Sequence, residues 1–268
     1  SRSSATPEVS ASGARYDSRS SSIQAGLDLL AFETAGGFWT LGATVQAGHV
    51  SADISNAVGS AQLSGDSYGI GATATWYGDG GTYVDLQARY DRIEADFAEG
   101  TVGQLASGVA FDQTTLGVEV GHRFALDGNR TLVPQAQLTW AHLSGDAFTD
   151  SQSSLVGIGE NERIVGRIGL AYEVEFDRAD ATQGGKSFEK LYVIGNVEHD
   201  FSAETSVDVA GAALGAQHAA TWGEVGLGGS VIWDDNKTFY AEGLYRQALD
   251  GSGGNDGFAV SAGFRMEW

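Results

Sequence analysis

Charged residues at every second position are the feature of this sequence that bears most directly on chemistry. Asp85, Arg89 and Asp91 alternate with apolar residues in one stretch, and acidic residues and arginines recur in the same way along much of the chain. Carboxylates take part in acid–base catalysis when a few of them converge on a reacting group. Here the charges are spread along the chain and form no catalytic motif, so the sequence predicts no catalytic residue.

Histidine, glycine and serine motifs give no alternative site. The five histidines show no pair at the spacing of zinc ligands; they are His49, His122, His142, His199 and His218. The glycine-rich run from Gly226 to Gly229 lacks the Gly-Lys-Ser/Thr of a phosphate loop. The only Gly-x-Ser-x-Gly match, Gly65-Asp66-Ser67-Tyr68-Gly69, runs into a predicted strand and is not followed by a helix, so it lacks the strand–turn–helix setting of a hydrolase elbow and does not predict a lipid-facing hydrolase. We therefore predict no enzyme activity, no metal site and no cofactor.

Composition excludes one large class of partner. The chain has 35 acidic residues against 15 lysines and arginines, a formal net charge of −20. Phosphate backbones are bound by basic surfaces, so we predict no nucleic-acid partner. No apolar run reaches the ~18 residues that a membrane helix needs. A membrane crossed by strands leaves a different signal, which is alternation.

Alternation is clearest at the C-terminus. Positions 258, 260, 262, 264, 266 and 268 are apolar, and the residues between them are small or charged. Successive side chains of a strand point to opposite faces, so this segment is a strand with one apolar face. The same period recurs up the chain and predicts about eleven strands. Many of them exceed the ~9–11 residues that cross a membrane at a tilt.

Tryptophans at the strand ends distinguish two all-β architectures. Trp39, Trp76, Trp233 and Trp268 lie on the apolar phase, each beside a turn or a terminus. That placement is typical of the aromatic girdle at a lipid–water boundary, whereas a soluble sandwich would hold such rings near its middle. We therefore predict an all-β protein, a transmembrane antiparallel up-and-down β-barrel of about twelve strands, eleven of which are clear in this chain.

The connections between the predicted strands alternate in length. Tight turns are predicted at 35–37, 78–81, 127–129 and 234–237, where Asp, Asn and Gly cluster. Longer polar loops are predicted at 52–66, 97–110, 144–160, 202–220 and 250–256, and 177–188 is long although it falls on the short-turn side. Short turns at one rim and long loops at the other are typical of outer-membrane barrels.

The charged residues that alternate with the apolar ones are predicted to line the lumen of this barrel. The lumen-lining residues are Asp28, Asp85, Arg89, Asp91, Glu119, Arg123, Arg167, Glu173, Glu198, Glu224, Glu242, Arg246 and Arg265. Opposite charges on neighbouring strands can pair across the wall. Glycines on the same face leave room for a chain, a helix or water in a pore that is narrow at this strand number.

The end of the chain resembles the C-terminal assembly signal of bacterial outer-membrane proteins. The positions that carry the resemblance are Ser261, Gly263, Met266 and the terminal Trp268. It implies that the barrel assembly machinery captures this strand by strand addition during biogenesis.

Longer stretches resemble the translocator domains of autotransporters (type V secretion), over roughly residues 14–268. They agree in order and spacing, and lie at 23–28, 68–78, 82–87, 132–138, 166–170, 205–209, 222–229 and 263–265. The resemblance implies a twelve-stranded barrel in the outer membrane of a Gram-negative bacterium, in contact with lipid and lipopolysaccharide. It also implies that the barrel helps to export its own N-terminal passenger domain and anchors it at the cell surface.

The first twenty residues depart from the family pattern. They are rich in Ser and Ala and alternate little. We expect a linker, a surface loop or a poorly formed first strand over residues 1–20, and the barrel domain over residues 21–268. An open eleven-stranded sheet in lipid would leave costly unpaired backbone groups, so a twelfth strand is required. Either residues 1–16 form it poorly, or it lies outside this chain.

Three other functions fit parts of this pattern. A passive porin or small-solute channel would share the barrel, the girdle and the assembly signal, but it would conduct steadily. A surface adhesin would act through its own long loops. Some autotransporters cut their own linker with acidic residues inside the barrel; Glu119, Glu173, Glu224 and Glu242 are available for that role, and none is assigned to it.

Overall fold

A computed structural model describes most of the chain. The described residues are 1–5, 9–10, 15–57, 59–157, 160–176, 187–202, 204–209, 212–233, 236–250 and 255–266. Within these ranges, no helix is long and apolar enough to cross a membrane.

Among the described residues the main sheet consists of twelve barrel strands and one two-residue strand, Phe124–Ala125, which pairs with residues 131–132. The barrel strands are β1 (Arg2–Ala5), β2 (Arg15–Thr34), β3 (Gly37–Ser55), β4 (Ser60–Gly78), β5 (Thr82–Glu99), β6 (Gly103–His122), β7 (Arg130–Gly145), β8 (Glu160–Glu175), β9 (Ser187–Asp200), β10 (Thr221–Trp233), β11 (Lys237–Ala248) and β12 (Asp256–Met266). Each strand pairs antiparallel with its neighbours in the chain, and β12 returns to pair with β1. The sheet is therefore a closed twelve-stranded barrel, and the predicted fold class is confirmed.

The closing strand β1 is short. Its residues pair with residues 256–258 of β12 on one side and with residues 16–19 of β2 on the other. Residues 1–20, where we expected a linker or a poorly formed first strand, thus hold β1 and the start of β2. Residues 6–8 and 11–14 lie outside the described residues.

The barrel carries its apolar residues on the outside. Ile23 and Ile70 are 74% and 63% exposed, whereas Asp91 and Glu173 are only 4% and 7% exposed. A soluble domain shows the opposite distribution, because water favours polar side chains at the surface. The exposed apolar band is thus the surface expected to face lipid.

Glycines in the left-handed region close the tight turns at one rim. Gly36 lies between β2 and β3 with φ 85°, and Gly81 ends the β4–β5 turn with φ 89°. Glycine is favoured there because it has no β-carbon to clash with its own backbone. The turns predicted at 35–37 and 78–81 are confirmed. Residues 234–235 and 177–186 lie outside the described residues, so the connections predicted there are not described.

Two of the predicted long loops are wrong. Strands β3 and β4 leave only residues 56–59 between them, and β5 and β6 leave only residues 100–102. The alternation continues through 52–66 and 97–110 with its polarity reversed. On β5, for example, Ala95 and Phe97 lie on the inner face, and Ala95 packs in a buried cluster with Val109 and Phe111. Above the membrane the outer face is exposed to water and the inner face forms a small core. Because the prediction followed an outward apolar face, it ended these strands too early.

The reversal marks the outer edge of the lipid-facing band. Moving along β4 from the tight-turn rim toward its N-terminal end, Tyr68 is the last large exposed apolar residue. Two residues further on the same face, Asp66 contacts Nδ1 of His49 at 2.7 Å. On β5 the same change occurs between Tyr90 and Arg92, whose guanidinium pairs with Asp112 at 2.8 Å. Charged side chains begin where the apolar band stops, as expected at the level of the lipid headgroups.

A charge introduced inside this band should be much more costly than one introduced just outside it. Ala72 lies on the outer face of β4, midway between Tyr68 and Trp76. We expect Ala72→Arg to lower the free energy of unfolding in lipid vesicles by about 2–4 kcal/mol, the cost of a cation near the bilayer midplane. The matched control is Asp66→Arg on the same strand and face. It removes only an exposed pair worth about 0–1 kcal/mol. Equal costs for the two variants would contradict a lipid-facing band.

The remaining long connections contribute a second, smaller sheet at the rim opposite the tight turns. Its strands, in spatial order, are Phe148–Thr149, Leu155–Gly157, Glu204–Val209, Ala212–Gln217 and Val9–Ser10. Two of the predicted loops, 144–160 and 202–220, thus supply four of its five strands.

Candidate functional site

Contacts between strands that are not adjacent identify the inner face of the barrel. Side chains converge on the concave side of a closed sheet and diverge on the convex side. The Tyr83 hydroxyl on β5 donates a hydrogen bond to Gln135 on β7 at 3.0 Å, and Gln46 on β3 donates one to Asp91 on β5. These residues alternate with the exposed apolar ones, so the polar phase of the strands faces the lumen.

Arg167 on β8 is the centre of an extended polar network in the lumen. It pairs with Glu119 on β6 through Nη2, and its Nε donates to Oε1 of Gln137 at 2.9 Å. A third hydrogen bond runs from Nη1 to Oδ1 of Asn196 at 3.3 Å. The side chains of Arg167 and Glu119 are 17% and 19% exposed. One guanidinium therefore ties three other strands together in a sheltered position.

The network extends beyond Arg167 in both directions. The Tyr83 hydroxyl shares its single proton between Gln135 and Oε1 of Glu119, which lies 2.7 Å away. Nδ2 of Asn196 donates to Oε1 of Glu224 at 2.6 Å. Together these contacts form a continuous band over the inner face from β5 to β10. Glu119 and Glu224 therefore occupy fixed positions in the wall.

A second charged cluster surrounds Glu173 near the rim that carries the tight turns. Nη2 of Arg123 lies 2.7 Å from Oε2 of Glu173 and 2.9 Å from Oε1 of Glu175. Nζ of Lys190 lies 3.2 Å from the other oxygen of Glu173. Two cations thus compensate a carboxylate that is 7% exposed, which is the condition for keeping a buried charge.

In the part of the chain that the structure describes, three hydrogen bonds join strands that lie two apart and pass over a glycine of the strand between them. We call them lumen bridges: Gln46–Asp91 over Gly69, Tyr83–Gln135 over Gly121, and Tyr192–Glu242 over Gly228. In each bridge the three residues are directly opposite one another in the strand register. A β-carbon at Gly121 or Gly228 would lie 2.5 Å from Cζ of the tyrosine. Glycine at these positions lets a long side chain lie flat against the wall.

The other predicted lumen residues on β2, β5 and β12 also have polar partners on the inner face. Nη2 of Arg265 lies 3.2 Å from Oδ2 of Asp28. Nε of Arg89 lies 2.7 Å from Oδ2 of Asp91. Asp85 accepts a hydrogen bond from the Thr75 hydroxyl at 2.8 Å.

Three other predicted residues, Glu198 on β9, Glu224 on β10 and Arg246 on β11, lie toward the rim that carries the small sheet. Arg246 lies opposite Glu224 in the strand register, and its guanidinium carbon lies 5.0 Å from the centre of the Trp222 ring. Glu198 lies opposite Trp222. Trp222 is therefore a lumen residue, which the sequence analysis missed.

An apolar patch on the inner face was also missed. Val133, Ala171 and Ile194 are 4%, 5% and 9% exposed and pack with Tyr83 and Tyr192. The predicted inner face comprised only charged residues and glycines. One sequence signal could have revealed the patch: at the same level of β7, β8 and β9, residues of both alternating faces are apolar.

The predicted girdle and assembly signal are described in part. Trp39 and Trp76 lie opposite each other on β3 and β4. The side chain of Trp233 and the whole of Trp268 lie outside the described residues. In the signal on β12, Ser261 and Gly263 share the inner face, and Met266 lies on the exposed apolar face at 46% exposure.

The site provides ion pairs and hydrogen bonds along a lumen wall. In the described part of the chain, no three histidine or acidic side chains converge as a metal site would require. What the arrangement can do is hold the wall rigid and present a mixed polar surface to a chain that passes through.

Comparison with known proteins agrees with this geometry. The chain matches a family model described as the autotransporter beta-domain over residues 3–243. It is 33% identical over 264 residues to the adhesin BmaC autotransporter of Brucella suis biovar 1 (strain 1330), covering 98% of this chain and 8% of that protein. It is 28% identical over 259 residues to the pertactin autotransporter of Bordetella parapertussis, covering 96% of this chain and 27% of that protein. The chain thus spans less than a third of the length of these curated relatives.

A solved structure shows the same fold. The transport unit of the autotransporter AIDA-I from Escherichia coli superposes with a TM-score of 0.81 at 16% identity, covering 100% of this chain and 88% of that one. These findings confirm the predicted translocator domain and its place in the outer membrane of a Gram-negative bacterium. They give no support to the porin alternative.

Proposed function

Because the chain belongs to the autotransporter beta-domain family, we propose that it exports and anchors the N-terminal passenger of a longer protein, and that its lumen holds the segment leading to that passenger. The lumen bridges are the observation that supports this most directly. They keep the tyrosines and glutamines of the wall flat against glycines. The axis of a narrow barrel is thereby left free for a polypeptide.

The charges of the wall support a structural role for its acidic residues. Glu119 is engaged by Arg167 and Tyr83, and Glu173 by Arg123 and Lys190. We therefore propose that the barrel has no catalytic activity of its own.

Two further partners follow from the surfaces of the barrel. The exposed apolar band is suited to outer-membrane lipid, and the polar outer faces above it to lipopolysaccharide headgroups. The barrel assembly machinery is proposed to recognise β12 through Ser261, Gly263, Met266 and Trp268. Such recognition would add β12 to an open sheet edge by backbone hydrogen bonding.

Surface exposure of the N-terminal region tests the export role. In cells that express the full-length protein, an extracellular protease should degrade the region upstream of the barrel and leave the barrel intact. A variant that lacks residues 256–268 is the control, because its barrel cannot close and its passenger should stay inside. In planar bilayers the full-length protein should conduct poorly. Steady conductance, together with an N-terminal region that the protease cannot reach, would favour a porin.

A further inference from the structure

Two glycines leave a recess in the lipid-facing surface of the barrel. Gly195 on β9 and Gly223 on β10 alternate with lumen residues of their strands and therefore lie on the outer face. A β-carbon at Gly195 would meet nothing within 4 Å, and the atoms nearest to one at Gly223 belong to Leu249. The recess has a volume of about 620 Å³ and is also lined by Leu170 and Tyr245. We call it the outer groove.

Exposed valines form the two walls of the outer groove. Val197 lies opposite Gly223 in the strand register, and Val225 lies opposite Gly195. The valines thus face each other across the line that joins the glycines, as diagonal neighbours whose α-carbons are about 7–8 Å apart. A space of this width takes a single hydrocarbon chain, which can contact both walls within about 4.0–4.5 Å.

The outer groove runs along the membrane normal. From Gly195, Gly223 is one strand across and two residues toward the rim of the small sheet. A strand spacing of about 4.8 Å and two rises of about 3.4 Å place this diagonal about 35° from the strand direction. Barrel strands tilt by about 35–45°. Here they lean toward lower strand numbers as they rise, because the edge of the apolar band passes from Asp66 to Arg92 although Asp66 lies opposite Glu94. The step from β9 to β10 offsets this lean, so the diagonal is upright.

Polar side chains lie at the upper end of the outer groove, where the apolar band stops. His199 is the next outward residue after Val197 on β9, and its Nδ1 lies 3.0 Å from Oγ1 of Thr221. Gln247 on β11 lies opposite Gly223 and lines the groove. Imidazole, hydroxyl and amide groups can all donate hydrogen bonds to phosphate or ester oxygens. An apolar slot below and neutral donors above match the two parts of a lipid.

We propose that the outer groove binds one acyl chain of a lipopolysaccharide molecule, with its phosphorylated head group at His199, Thr221 and Gln247. The groove lies in the half of the apolar band next to the small sheet. Tight turns mark the periplasmic rim of outer-membrane barrels, so this half meets the outer leaflet, which lipopolysaccharide forms. A second copy of the barrel is convex and cannot fill a narrow recess. The inference rests on the proposed contact with lipopolysaccharide and specifies the place where one molecule is retained.

Retention of lipid in detergent tests the outer groove. The full-length protein, extracted from outer membranes in a mild non-ionic detergent, should carry one lipopolysaccharide molecule in native mass spectrometry. Gly195→Leu fills the groove and should abolish this adduct. Gly243→Leu is the matched control, because a β-carbon at Gly243 also meets nothing within 4 Å. Gly243 lies on the outer face two strands across and two residues toward the tight turns, which the tilt brings to a similar depth. Equal retention by the two variants, or no adduct on the unmodified protein, overturns the proposal. A phospholipid adduct overturns the choice of lipid.

A photo-crosslinking amino acid distinguishes this site from general contact with lipid. One variant of the full-length protein carries it in place of Val225 in the groove wall. The other carries it in place of Val260 on β12, which is 65% exposed and lies opposite Gly243. In intact outer membranes both variants should crosslink to lipopolysaccharide, and after extraction into detergent only the Val225 variant should. Crosslinking of neither variant in membranes contradicts the proposed contact with lipopolysaccharide itself. Crosslinking of both in membranes and of neither after extraction leaves that contact intact and overturns the outer groove.

Discussion

Replacement of Arg167 by methionine is expected to lower the free energy of unfolding by about 3 kcal/mol, because it leaves Glu119 in a sheltered position without its cation. The side chains of this pair are 17% and 19% exposed, so water compensates little for the lost partner. The same substitution removes the hydrogen bonds to Gln137 and Asn196. Unfolding of the purified barrel, followed by its heat-dependent shift in gel mobility, provides the measurement.

The exposed pair Arg92–Asp112 offers a matched control. Its side chains are 50% and 37% exposed on the outer face, so Arg92→Met should cost much less than Arg167→Met, because water screens an exposed pair. Adding Glu119→Gln to Arg167→Met should recover part of the loss, because the unpaired charge is then removed. If Arg167→Met costs no more than Arg92→Met, the lumen network does not stabilise the barrel.

The strands were predictable from the sequence because alternation is a local property. The inner phase over residues 85–91, for example, follows from one face being apolar at four successive outward positions, 84, 86, 88 and 90. The reversed alternation at residues 93–97 was misjudged for the same reason: the pattern was local and clear, but its meaning depends on where the membrane ends. Four residues of β1 are too few to show any period.

The network itself was beyond sequence reasoning. Arg167 meets Glu119 because β6, β7 and β8 pair in one particular register, and register depends on the turns and on the closed sheet as a whole. The neutral partners Tyr83, Gln135 and Asn196 carry no charge pattern that marks them. The glycines under the bridges were noted as small residues on the inner face, but which side chain covers each of them appears only when three strands are aligned.

Replacement of Gly228 by valine should destabilise the barrel and also narrow its lumen. The new β-carbon would lie 2.5 Å from Cζ of Tyr192, so the ring must leave the wall. Its hydrogen bond to Glu242, 2.5 Å long, is then lost. We expect a cost of about 2–4 kcal/mol from overpacking and from the lost bond. The displaced ring has only the lumen to enter, so the rate at which passenger appears at the cell surface should fall.

Gly195→Val is the matched control for this variant. Gly195 lies on the exposed face of β9, and a β-carbon there meets nothing within 4 Å. Valine is also preferred over glycine in strands, so the control should be neutral or slightly stabilising. In a Gly228→Val background, Tyr192→Ala should restore export but not stability, since the obstructing ring is removed while the bridge stays absent. Normal export by Gly228→Val alone, with Tyr192 intact, would show that the ring does not enter the path of the passenger.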